Sequence, residues 1–79
     1  MRRRSTKDLR KTNEYNFETY VLEGLRMVYE VTFKKRQGLY TIRKTQFGSI
    51  DIYPKADKLM FHDSGKWIRG GAEWLCNNL

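Results

Sequence analysis

The chain has 79 residues and a formal net charge of +7, from 16 basic and 9 acidic side chains. That length supports one domain with one modest core, and an aromatic content of 14% is too high for a chain without folded structure. One proline and six glycines exclude a low-complexity linker, no apolar run approaches the roughly 18 residues of a membrane span, and the lone Cys76 has no disulfide partner within the chain.

Residues 1–12 carry few apolar side chains and read as a flexible basic arm preceding a single α+β domain over residues 13–79. Met1-Arg2-Arg3-Arg4-Ser5 is charged and is followed by no apolar stretch, so a secretory signal is not expected and the cytoplasm is. Ser5-Thr6-Lys7-Asp8 nonetheless matches a capping box, compatible with a short helix in the arm. In residues 13–24, Phe17, Tyr20, Val21 and Leu25 fall at helical spacing, with Asn13 and Gly24 as end signals. The same stretch also alternates as a strand would through Tyr15, Phe17, Thr19 and Val21; helix is the preferred reading.

From Arg26 the period becomes two. Met27, Tyr29, Val31 and Phe33 alternate with Val28, Glu30, Thr32 and Lys34, and Arg36-Gln37-Gly38 supplies a turn. Leu39, Tyr40 and Ile42 open a second strand, and Ile50 and Ile52 define a third that stops at Tyr53-Pro54, where the ladder loses a donor. Leu59 and Phe61 mark a fourth, and Asp63-Ser64-Gly65 has hairpin chemistry before the short segment Lys66-Trp67-Ile68-Arg69. Gly70-Gly71 breaks the chain ahead of a last helix with Ala72, Leu75, Cys76 and Leu79 on one stripe. The expected fold is a small antiparallel β-meander of four or five strands with a C-terminal helix covering one face, and a possible N-terminal helix.

Charge is concentrated in two blocks. Residues 1–11 hold Arg2, Arg3, Arg4, Lys7, Arg10 and Lys11 against Asp8, and residues 34–44 hold Lys34, Lys35, Arg36, Arg43 and Lys44 with no acid. Such blocks neutralise phosphates and release counterions, the main source of non-specific nucleic-acid affinity. The bland reading of each is a solvated terminus and a hairpin kept soluble by lysines. In the functional reading the arm and the basic hairpin contact the backbone, with Tyr40 or Phe47 exposed to stack on bases. Trp67, Arg69, Gly70, Gly71 and Trp74 form a third cluster. Its glycines would open helix amides to an anion beside Arg69, although both tryptophans are expected in the core.

No catalytic or metal constellation stands out. His62 is the single histidine, no four-ligand zinc set exists, and Asp51, Asp57 and Asp63 have no spacing that demands a shared metal. The expectation is a non-enzymatic, cofactor-free nucleic-acid-binding protein, largely sequence-independent, with DNA slightly favoured over RNA. The alternative is an inhibitor or accessory factor, of the kind phage and mobile elements encode, that docks on an acidic host protein. Aromatics interleaved with lysine and arginine would favour nucleic acid; an aromatic patch remote from them would favour protein.

Overall fold

A computed structural model describes residues 6–79. Helices α1 (Thr6–Tyr20) and α2 (Leu22–Val28) lead into five strands, β1 (Glu30–Lys34), β2 (Leu39–Thr45), β3 (Gly48–Tyr53), β4 (Lys58–Phe61) and β5 (Trp67–Arg69), and α3 (Gly71–Asn78) closes the chain. The strands form one antiparallel sheet in sequence order, a pure meander. The expected α+β architecture is the one observed.

Alternation sorts the strands into two faces. Tyr40, Ile42, Ile50, Ile52 and Leu59 point one way and meet Phe17, Val21, Leu22 and Leu25 from the first two helices and Leu75 from α3. Ile42, Ile50, Ile52 and Leu59 have no solvent exposure at all. Tight packing at the start of α3 depends on Gly71, where a β-carbon would collide with Ile52 and press on the backbone of Lys58. Gly70, at φ 68°, takes the left-handed conformation that turns the chain from β5 into α3.

Asp57 ties that helix down. It sits at φ 51° in the β3–β4 turn, and its carbonyl accepts from Gly70 N–H at 2.8 Å and Gly71 N–H at 3.0 Å. Its carboxylate accepts from Ala72 N–H at 3.1 Å. A carboxylate at the first turn also complements the helix dipole. The amides expected to attract an external anion therefore already have an internal one.

Two boundaries differ from the expected ones. Helix α1 begins at Thr6, so residues 6–12, expected to lie in a flexible arm, are helical. Arg2, Arg3 and Arg4 lie outside the described residues. The run from Arg26, expected to be strand, stays helical through Val28, because Leu22 and Leu25 at a spacing of three bury against the sheet while Met27 and Val28 remain exposed. The alternation of Met27 and Tyr29 matched a strand without any buried face requiring it. Among the described residues, no helix is long and apolar enough to cross a membrane.

Candidate nucleic-acid interface

The other face of the sheet receives none of the buried helix residues. The register lays it out in rows across the strands. One row runs Lys34, Leu39, Tyr53, Lys58 and Arg69; the next runs Thr32, Thr41, Asp51, Met60 and Trp67; the third holds Glu30, Arg43, Ser49 and His62.

The first row is basic and aromatic. The rings of Tyr53 and Trp67 sit 5.4 Å apart, tilted by 38°. The Lys58 ammonium lies over both, 4.6 Å from the Trp67 centroid and 5.8 Å from that of Tyr53. Trp67 is 47% exposed. This corrects the expectation that both tryptophans are core. Only Trp74 packs inward, edge-on to Phe47 and Phe61 at 5.2 Å each. The reason is parity: Ile68 is the one residue of β5 that points to the helices, so Trp67 and Arg69 must point away.

The same edge of the face ends in a basic cleft of about 270 Å³. Arg10 from α1, Lys35 and Arg36 from the β1–β2 turn, and Lys55 from the β3–β4 turn line it, with Tyr53 as the wall shared with the sheet. Gly38, at φ 67°, makes the first turn tight enough to bring Lys35 and Arg36 to this corner. Asn13 anchors the second turn by donating to the Lys55 carbonyl at 3.2 Å. Glu14 approaches Lys55 at 3.9 Å, a solvent-exposed pair that removes little of the local positive field. Among the described residues, Lys34, Lys35, Arg36, Lys58 and Arg69 make no ion pair.

The far end of the face is different. Asp51 is buried there, and one of its oxygens accepts from the Thr41 hydroxyl at 2.7 Å and lies 2.8 Å from His62 Nε2. Arg43 faces Glu30 across the first hairpin at 3.9 Å. Lys44 sits in a bulge at φ 59°, where the β2–β3 register shifts. Arg43 and Lys44 are thus exposed; Arg43 shares a shallow pocket with Lys34, while Lys35 and Arg36 lie at the other end of β2 in the basic cleft.

Tyr40, expected to be exposed for stacking, is buried and points to the helices. It packs on Phe17 and Phe33, and its hydroxyl donates to Glu18 at 3.3 Å. Burial, and then the Glu18 carboxylate beside it, pushes its phenol above the usual range. Phe47 is 39% exposed, on the helix side against Trp74 and Phe61, away from the basic row. Lys11 is exposed on α1.

The sequence reading did not place Tyr53, Lys55 and Lys58 here, and it named Trp67 in a candidate cluster but expected it in the core. The available signal was the outward set of each strand: Tyr53, Lys58, Trp67 and Arg69 all alternate with buried aliphatics. The three aspartates do not gather, since Asp51 is held on the open face, Asp57 caps α3 and Asp63 lies in the β4–β5 turn. Among the described residues no group of three or more His, Cys, Asp or Glu side chains is placed to hold a metal ion. No family model, no curated protein and no solved structure matches this chain.

Proposed function

We propose that this chain is a small nucleic-acid-binding protein that grips the phosphate backbone with the basic corner of its open sheet face. It acts as a binding protein, not as an enzyme. The observation that carries the reading is the convergence of Arg10, Lys35, Arg36, Lys55, Lys58 and Arg69 around the half-buried ring of Tyr53 and the exposed ring of Trp67. Cations interleaved with aromatics suit a polymer that is both anionic and ring-bearing. A positive surface selected only for solubility has no need of two rings at its centre. Phosphate contacts fix position without reading sequence, so binding is largely sequence-independent. Arg2, Arg3 and Arg4 would add charge from the preceding segment.

A second reading has its own observation. On the helix side, Val21, Leu25, Val28, Leu75 and Leu79 line an apolar groove between α2 and α3, next to the exposed Tyr20 and Met27. A surface of that kind, remote from the basic corner, suits a protein partner.

Fluorescence anisotropy with labelled mixed-sequence oligonucleotides, at about 50 and 200 mM salt, separates the two. Micromolar or tighter binding that weakens steeply with salt is the expected result. No binding at the lower salt would defeat the nucleic-acid reading and leave the groove as the better guide.

A further inference from the structure

We infer that the ring cluster of Tyr53 and Trp67 selects single-stranded nucleic acid, laid across the strands from the basic cleft toward Arg69. This rests on the polynucleotide reading above and adds the form of the polymer.

The geometry of the face carries it. Tyr53 and Trp67 stand on strands β3 and β5 of the sheet face, Tyr53 half-buried, and not on a helix. A B-form duplex presents its base edges only through grooves about 12 and 6 Å wide, and its base faces are covered by stacking. Rings at this position reach neither. An unpaired strand offers bare base faces, and each one stacked on an aromatic side chain contributes affinity whatever its identity.

Dimensions agree. Four interstrand spacings of about 4.8 Å put the span from β1 to β5 at about 19 Å, room for a short run of nucleotides at the low end of small β-module sites, about four. Along that span the first row supplies a cation, Lys34, Lys58 or Arg69, on either side of the rings. The phosphates then follow the row while bases turn onto Tyr53 and Trp67. Lys58 already covers these rings with its ammonium. An incoming base takes its place, and the released ammonium moves to the adjacent phosphate. A ribose 2′-hydroxyl both donates and accepts, and the Tyr53 hydroxyl and Gln37 in the cleft offer it partners, so the face distinguishes unpaired from paired strands and not one sugar from the other.

The test titrates the full chain with labelled oligothymidylate about 15 nucleotides long, the oligouridylate of that length, and a mixed-sequence duplex of that length, at about 200 mM salt. Oligothymidylate and oligouridylate should each bind about tenfold tighter than the duplex. Trp67→Ala should remove about tenfold from single-strand affinity and leave duplex affinity and the thermal midpoint unchanged, while Trp67→Phe restores most of the loss. In a Trp74→Phe background the fluorescence of Trp67, then the one tryptophan, should be quenched as oligothymidylate saturates. Equal affinity for duplex and single strand, with no quenching and no effect of Trp67→Ala, overturns the stacking site while leaving a general polyanion surface. Binding of none of the three at about 50 mM salt defeats the underlying reading as well.

Discussion

The two faces of the sheet are built from the same strands with opposite chemistry. The covered face is aliphatic: Ile42, Ile50, Ile52 and Leu59 lie under three helices without solvent exposure. The open face carries ionisable and aromatic groups, and within it the two ends differ again. At the far end Asp51 is satisfied by Thr41 and His62, and Arg43 by Glu30. At the near end, among the described residues, the cations have no acidic partner beyond Glu14, and they flank two rings. One face is spent on stability. On the other, local charge is left uncompensated at one end, and a field of that sign attracts anions.

That division predicts separable effects of mutation. The largest loss of stability should come from the covered face. Ile52→Ala removes a fully buried side chain that also packs against the start of α3, and should cost about 2–5 kcal/mol in urea unfolding. Oligonucleotide affinity of the protein that remains folded should not change; a parallel loss of affinity would break the division.

A smaller effect is expected at Tyr40, which spans core and polar chemistry. Tyr40→Phe removes its hydrogen bond to Glu18 and should cost about 1 kcal/mol at neutral pH. The folded state holds the phenolic proton more tightly than the unfolded chain, where the ordinary value is 10.0. Its contribution is therefore fully present below that pH and is lost as pH rises through the elevated folded value. Thermal midpoints measured upward from pH 9 should fall more steeply for the wild type than for Tyr40→Phe. Parallel curves would mean that the phenol is not held by its surroundings.

Much of the meander was legible in the sequence because its signals are local. Ile50 and Ile52 alternate, Pro54 ends the third strand, and Gly38 and Gly65 sit where turns need a positive φ. Helix α1 was legible in its second half, where Phe17 and Tyr20 fall at helical spacing, while residues 6–12 offered only a capping box in a polar stretch that resembles a solvated arm. The site was legible in halves. Lys35, Arg36 and Arg10 were visible as charge, but nothing in linear order says that Lys55 joins them or that Lys58 lies opposite both Tyr53 and Arg69. Those neighbours are set by strand register, a long-range property. Trp67 was misassigned because a tryptophan before a glycine break looks like core, and only the burial of Ile68 fixes which side it takes. Tyr40 failed for the converse reason, since its strand was read correctly but its face was not.

The most direct test of the account is the salt dependence of oligothymidylate binding when charge is removed from one end of the open face or the other. Lys35→Ala/Arg36→Ala/Lys55→Ala should flatten the slope of log affinity against log salt by about 2, as expected for three lost phosphate contacts on a single strand, and Arg43→Ala/Lys44→Ala should leave it unchanged. Equal flattening by both variants, or none from the triple, would contradict the assignment of binding to the basic corner.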